Sequence, residues 1–389
     1  MIGTLTPYLG DYNKNHETKQ MISDLIQSSG IDQQVKKIAL KVLQSGRILP
    51  EEGIILYQEA DTSLLALLAD QVRKQKVGDY AFYNRNIHIE PTNICLYDCK
   101  FCSYSHHQSK ESWELTVDEM VNTVSNLTDD ITEVHIVGAV HPGRDIFYYA
   151  DLLSRVRQAK PAIHIKAFTA IEIEYMVKKA GLTIQQGIQL LKDAGLDSIP
   201  GGGAEIFDDK IREEICGKKS TTEAWLSVHE TAHRMDIPSN ATILYGHVEQ
   251  FEHRIHHMEL LRQLQDRTGG FNAFIPLKYK SKNNLMSGIG EVTLVQDLRN
   301  YAVSRIYFDN ITHIKAYWPM IGKEMAALSL AFGVDDLDGT INDSTKIYSL
   351  AGAQDINPSM GSDEIRQLIL HADRVPAERD SVYNIIREG

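Results

Sequence analysis

The sequence predicts an α/β fold, a closed (β/α)8 barrel of TIM type with a helical lead-in before it and a helical extension after it. Three observations carry that expectation. From Arg85 onward, eight short strand-like runs alternate with longer amphipathic segments, the signature of parallel βα units. Ahead of Arg85 the apolar residues recur at three- and four-residue steps, as they do on helices. No low-complexity linker interrupts the alternating region, so a single barrel accounts for it.

Taken in order, residues 1–84 form the lead-in, where Leu25, Ile26, Val35, Ile38, Val42 and Leu43 share helical spacing and Leu64, Leu65, Leu67 and Leu68 continue it. Residues 85–348 form the barrel. Its expected strands are 86–90, 133–138, 163–168, 198–199, 241–246, 271–277, 313–318 and a weak one at 337–341. Helical stretches such as 116–127, 148–159, 183–194, 222–235, 251–268 and 295–308 lie between them. The glycine turns Gly201-Gly-Gly203 and Gly269-Gly270 suit tight connections. Residues 349–389 form an extension packed back on the barrel, with a helix signal from Ser362 as N-cap.

Composition narrows the function classes. The chain has 389 residues, 43% of them hydrophobic, enough for a large barrel with additions. Forty Lys and Arg against 52 Asp and Glu give a net charge of −12, which argues against nucleic acid or an anionic membrane as partner. The N-terminus lacks a charged region followed by an apolar one, and no apolar run reaches membrane-spanning length; a cytoplasmic protein is expected. Four cysteines, three of them clustered, fit a reducing compartment rather than a disulfide framework.

Those three, Cys95, Cys99 and Cys102, stand in a C-x3-C-x2-C loop. Soft thiolates on so short a loop suit three irons of a [4Fe–4S] cluster and leave the fourth iron open to a small molecule. A structural zinc would want a second pair of ligands, and no second knuckle is present. Cys216 lies far along the chain and reads as a small buried hydrophobe. Because catalytic sites of such barrels lie at the C-terminal strand ends, and Cys95 follows the first strand, the cluster is expected on the catalytic face.

Period-2 alternation puts His88, Glu90, Lys166, His313, Lys315 and Tyr317 opposite the apolar faces of their strands, pointing into the lumen. A polar or anionic substrate held inside would explain the set. Mutual ion pairing, as of Glu90 with a lysine, would also explain it, and the sequence leaves both readings open.

Two motifs look like chemistry without carrying it. His229-Glu-Thr-Ala-His233 matches a zinc-protease pattern, but it falls on an expected outer helix with no third ligand downstream. The turn Gly201-Gly-Gly-Ala-Glu205 lacks a P-loop ending, so close backbone approach to a ligand is the better reading. His253, His256 and His257 read as solvated or packing residues on another outer helix; His106 and His107 follow the cluster loop and could lie near a ligand.

Several stretches together resemble the aminofutalosine synthases, radical S-adenosylmethionine (SAM) enzymes of the futalosine route to menaquinone. They are His88-Ile-Glu-Pro-Thr-Asn-Ile-Cys95, His135-Ile-Val-Gly-Ala-Val-His-Pro142, His164-Ile-Lys-Ala-Phe-Thr-Ala-Ile-Glu-Ile173, Asp197-Ser-Ile-Pro-Gly-Gly-Gly-Ala-Glu-Ile206, Asn240-Ala-Thr-Ile-Leu-Tyr-Gly-His247 and His313-Ile-Lys-Ala-Tyr-Trp318. The resemblance implies a barrel of the radical SAM class, with Cys95, Cys99 and Cys102 on the [4Fe–4S] cluster. It also implies SAM contacts from Phe101, Tyr104, Gly138, Ala139, Glu205, Thr242 and Gly246. Ala139 departs from the family, which usually has a second glycine there; Thr242-x-Leu-x-Gly246-x-x-Glu249 echoes a superfamily pattern with Thr for its first Gly.

The implied reaction is addition of the 5′-deoxyadenosyl radical from SAM, consumed as co-substrate, to the enol ether of 3-[(1-carboxyvinyl)oxy]benzoate, giving 6-amino-6-deoxyfutalosine, methionine and bicarbonate. His88, His141, Lys166, His313 and Lys315 are then candidates to hold the two substrate carboxylates. A flavodoxin or ferredoxin is the expected low-potential donor. Two alternatives are a radical SAM cyclase of the cyclic dehypoxanthinyl futalosine synthase type and a non-catalytic iron–sulfur sensor or carrier; the missing fourth cysteine speaks against the latter.

Overall fold

The computed structural model describes residues 9–107, 111–340, 346–352 and 359–389. Four helices lead in: Leu9–Ser28, Gln33–Leu43, Pro50–Glu59 and Thr62–Val77. Local chemistry sets their ends. The Asp32 carboxylate accepts from the Gln34 and Val35 amides, Pro50 opens the third helix, and Gly78 at φ +64° closes the fourth. Arg299 ties this layer to the barrel by donating to the Ala60 and Tyr57 carbonyls at 2.6 and 2.7 Å.

Among the described residues ten strands follow: β1 Tyr80–Asn84, β2 Asn86–Ile89, β3 Glu133–Ile136, β4 His164–Ala167, β5 Ser239–Tyr245, β6 Phe271–Lys278, β7 His313–Ile314, β8 Asp336–Gly339, β9 Val375–Arg379 and β10 Ile385–Glu388. The parallel ladder β2–β3–β4 passes through single bridges at Lys166/Ser198 and Ile199/Ser239 to β5–β6–β7. A Lys315/Asp336 bridge leads on to β8, which pairs with β1. β1 and β2 are halves of one stave broken at Arg85, so the ring closes with eight staves. Apolar faces such as Val134, Ile136, Ile165, Ile243 and Ile314 pack outward against the helices, leaving the polar alternates inside.

The structure corrects several expected boundaries. Residues 80–84, assigned to the lead-in, belong to the barrel sheet. The fourth stave at 198–199 is reduced to bridges, because Pro200 and the glycine turn follow at once. The seventh pairs with β6 at His313–Ile314 and with β8 through the Lys315/Asp336 bridge, and Trp318 with Pro319 opens a short helix where a strand was expected. The last strand ends at Gly339, and position 341 lies outside the described residues.

The C-terminal extension is only partly helical. After the helix Ser362–His371, whose cap position is Gly361 rather than Ser362, it adds β9 parallel to β1 and β10 antiparallel to β9. This hairpin closes the foot of the barrel: Arg379 meets Asp336 at 2.6 Å, and the Tyr383 ring stacks on His313 with centroids 3.5 Å apart. No helix among the described residues is long and apolar enough to cross a membrane.

Candidate active site

The cysteine loop follows β2 at the C-terminal mouth of the barrel and is held by its backbone. Leu96 N–H donates to Val140 O, Lys100 N–H to Ile215 O, and Cys102 N–H to Cys99 O at 2.8, 2.8 and 3.1 Å. Cys95 N–H donates to His106 Nδ1 at 3.0 Å, and the His107 ring meets Cys95 O at 3.0 Å. The two histidines therefore shape the loop. Tyr97 N–H points at Cys95 Sγ, 3.4 Å away, a donor suited to a thiolate.

Three thiols on a loop fixed this way fit three corners of a [4Fe–4S] cluster by the chemistry of the donor set. Cys99 is buried, while Cys95 and Cys102 keep partial access. Cys216, expected to be a small buried hydrophobe, is buried in the core and ends the helix Asp209–Cys216 beside Cys99, whose thiol pKa it raises. That helix reaches the loop through the Lys100–Ile215 backbone bond, a long-range contact with no local sequence signal.

Beside Cys102 opens a cavity of about 290 Å³, near the small end for ligand sites. Phe101, Cys102, Ser103 and Tyr104 line its cluster end; Gly138, Thr169, Gly202, Gly203, Glu205, Lys219 and Thr242 line one wall; Lys278, Tyr279 and Lys280 line another. His88, His135 and Tyr317 form the floor. Ile347 and Ala351 complete the upper wall.

The glycine turn earns its residues through backbone conformation. Gly201 has φ +90° and a Cβ there would lie 2.0 Å from Asn240 O; Gly203 has φ +86°. Thr242 Oγ1 donates to Gly201 O at 2.7 Å, and Trp225 Nε1 to Gly202 O at 3.2 Å. Glu205, itself at φ +49°, is aimed at Lys219, with which it forms a largely buried ion pair. Burial pulls the Lys219 pKa down, but Glu205 and the neighbouring thiols raise it further, so the ammonium stays charged 5.6 Å from the Phe101 ring. Lys219 and His135 were both missed by the sequence reading. Alternation in β3 would have put His135 inward with Glu133; nothing near Lys219 marks it.

Burial shifts the floor histidines down, His88 to about 4 and His135 well below its usual value, so both are neutral. Their rings are 4.4 Å apart. At the mouth, burial raises Glu90 to about 8 against the pull of the Lys346 and Ile347 amides.

Of the residues expected at SAM, the structure brings Phe101, Tyr104, Gly138, Glu205 and Thr242 to this cavity. It leaves Ala139 and Gly246 off the wall: Ala139 N–H donates to Thr92 O, and Gly246 N–H to Glu249, whose carboxylate also holds His247 N–H and Arg254.

Of the expected substrate cations only His88 reaches it. Lys166 is bound to Glu133 and Lys315 to Asp338, each at 2.6 Å, and His313 Nδ1 meets Asp335 at 2.6 Å beneath the Tyr383 stack. His141 Nε2 faces Glu114 at 2.9 Å while its Nδ1 accepts from Gly143 and Arg144, away from the cavity. Substrate roles for Lys166, Lys315, His313 and His141 are therefore corrected: none of the four lines the cavity, and each is held by a carboxylate outside it.

The zinc-protease look-alike is structural. His229 and His233 both bond Ser239 Oγ, at 2.7 and 2.8 Å, while Glu230 points outward to Arg234 and Arg267. His257 is a buried strut between Phe207 N–H and Thr242 O.

Residues 89–261 match the radical SAM superfamily model, and residues 268–388 match the CofH/MqnC C-terminal region. The chain is 41% identical to aminodeoxyfutalosine synthase of Thermus thermophilus over 92% of this chain and 97% of that one. It is 38% identical to the 5-amino-6-(D-ribitylamino)uracil–L-tyrosine 4-hydroxyphenyl transferase of Archaeoglobus fulgidus over 82% and 92%. Among solved structures, methylornithine synthase superposes with a TM-score of 0.70 at 14% identity, over 88% of this chain and 97% of that one, a likeness of fold.

Proposed function

Since the chain belongs to the aminodeoxyfutalosine synthase family of radical SAM enzymes, we propose that its substrate is 3-[(1-carboxyvinyl)oxy]benzoate, adenosylated to 6-amino-6-deoxyfutalosine with release of methionine and bicarbonate. The family reaction is a transfer in menaquinone biosynthesis by the futalosine route, with a [4Fe–4S] cluster and SAM as cofactors. When bound, the cluster and SAM supply reductive cleavage chemistry and the deoxyadenosyl group.

In this reading Cys95, Cys99 and Cys102 hold three irons and leave the fourth to the amino acid end of SAM. Gly138 lines the cavity there, and Lys219, braced by Glu205, offers a charge for the carboxylate. Phe101 and Tyr104 give apolar faces near the adenine; the Tyr104 hydroxyl is already bound to Thr92 O. The substrate carboxylates fall to His88 on the floor and to the wall cations Lys278 and Lys280, which Asp297 and Glu291 brace at 2.7 and 2.8 Å. The electron donor is a flavodoxin or ferredoxin, and the work is cytoplasmic.

The observation that supports this reading most is that one cavity joins Cys102 to a floor of neutral histidines. The test is to give reconstituted protein SAM and strong reductant, with the enol-ether benzoate, a futalosine-derived nucleoside, or ribitylaminouracil plus tyrosine in separate reactions. An adenosylated product from the benzoate alone is expected. Product from either other reaction, or 5′-deoxyadenosine alone, would overturn it.

A further inference from the structure

The segment Lys346–Gly352 crosses the mouth of the cavity and presents Ile347 and Ala351 to its interior. Its five helical residues are too few to hold a helix by propensity. Three contacts pin it from different parts of the barrel rim. Glu90, 5% exposed and just past the end of β2, receives the Lys346 N–H on both carboxyl oxygens at 3.1 Å and the Ile347 N–H on Oε1 at 3.3 Å. Asn283, in the loop after β6, donates to Leu350 O at 2.7 Å. The Lys346 ammonium lies 4.7 Å over the Trp113 ring.

The strengths of these pins differ. Asn283 is exposed and the lysine over Trp113 is a surface cation–π contact, so both are weak pins. Glu90 is sealed from water, and a buried carboxyl left without donors carries the whole desolvation cost. Among the described residues, the segment's Lys346 and Ile347 amides are the donors to this buried carboxyl. Its position two residues beyond His88 on the same stave joins cavity floor and cavity cover through one short piece of backbone.

We propose that Glu90 is a positioning residue: it latches residues 346–352 as the movable wall of the cavity, so that Ile347 and Ala351 close over bound SAM and substrate and exclude water from the reacting groups. The proposal rests on the cavity being the SAM and substrate site. Glu90 touches neither ligand in this reading; it acts through the two amides it receives. Loss of the latch leaves the barrel and the cysteine loop intact, and opens the wall.

The experiment reads the latch separately from the substrate. Amide exchange of the peptide spanning 346–352, measured by mass spectrometry on reconstituted protein without substrate, is expected to speed up at least tenfold in Glu90→Ala. Glu90→Gln, which keeps one acceptor oxygen, should stay within about threefold of wild type. Lys346→Pro removes the Lys346 donor and leaves Glu90 and the Ile347 N–H in place; proline is tolerated at a first helical position, so this variant folds even where Glu90→Ala does not, and its exchange should rise at least threefold, toward that of Glu90→Ala. Lys346→Met keeps the N–H, loses only the Trp113 contact, and should exchange as wild type.

In turnover, Glu90→Ala and Lys346→Pro should raise the KM for SAM at least fivefold and increase the 5′-deoxyadenosine released per product formed, with iron content unchanged. Unchanged exchange in both variants overturns the latch. Faster exchange with unchanged KM and unchanged coupling overturns the positioning role. If wild type fails to adenosylate the benzoate, the proposed substrate falls, while exchange and the KM for SAM in reductive cleavage still decide the latch.

Discussion

The Lys166 ammonium lies 2.6 Å from Glu133 Oε2, with side chains 5% and 2% exposed on neighbouring staves. Burial alone would raise the Glu133 pKa, but Lys166, His164 and Lys315 hold it well below the usual carboxylate range. The lumen charges are partners of one another. Lys166→Met should therefore cost about 3–5 kcal/mol by stranding Glu133, whereas Lys166→Met with Glu133→Leu should recover most of that loss. Urea unfolding of the two variants checks it; a double variant no better than the single would sink the pairing argument.

The glycine turn ranks its own substitutions. Gly201→Ala meets the Asn240 carbonyl, which is backbone and cannot yield, whereas Gly203→Ala meets the Ile171 side chain at 2.3 Å, which can shift; both sit at positive φ. Gly201→Ala should lose at least about 2 kcal/mol of stability and most SAM binding, and more than Gly203→Ala in each. Thermal unfolding and equilibrium dialysis of SAM on reconstituted protein give the order.

Cys216 touches Cys99 yet is absent from the three-cysteine loop. After anaerobic reconstitution, Cys216→Ser should retain iron content and cluster absorbance within about 20% of wild type, while Cys99→Ser should lose most of both. Equal loss in the two variants would make Cys216 a ligand.

His233 is buried between Ser239 and Thr268, and burial lowers its pKa from 6.5 to about 4. The unfolded chain takes up that proton first, so the stability His233 contributes is full above pH 6.5 and drains as pH falls through about 4. The gap in unfolding free energy between wild type and His233→Gln should narrow across this window, by on the order of 3 kcal/mol. Parallel urea titrations at pH 7 and pH 4.5 measure it; a constant gap would mean the imidazole is not buried neutral.

Much of the architecture was legible because it is written in local periodicity. Alternation in Asn86–Ile89 and His164–Ala167 set which residues face inward, and the spacing of Cys95, Cys99 and Cys102 marked the cluster loop. The strands 375–379 and 385–388 were not legible, since an edge hairpin added to a finished barrel owes its pairing to β1, 295 residues earlier, rather than to its own pattern. The short stave at 198–199 was expected at those residues, and its neighbours hold it in place through the Lys166/Ser198 and Ile199/Ser239 bridges.

What the sequence determines by itself is therefore the kind of chemistry: three thiols on one loop, a barrel to carry them, and polar residues turned inward. Tertiary structure alone decides which of those residues meet a ligand. Lys166, Lys315 and His313 look like binding groups until adjacent staves supply Glu133, Asp338 and Asp335. Lys219 looks like nothing until the chain folds, and no local pattern pairs Glu90 with the Lys346 and Ile347 amides. Partner identity across strands and loops depends on register and closure, and neither is encoded within the reach of a local pattern.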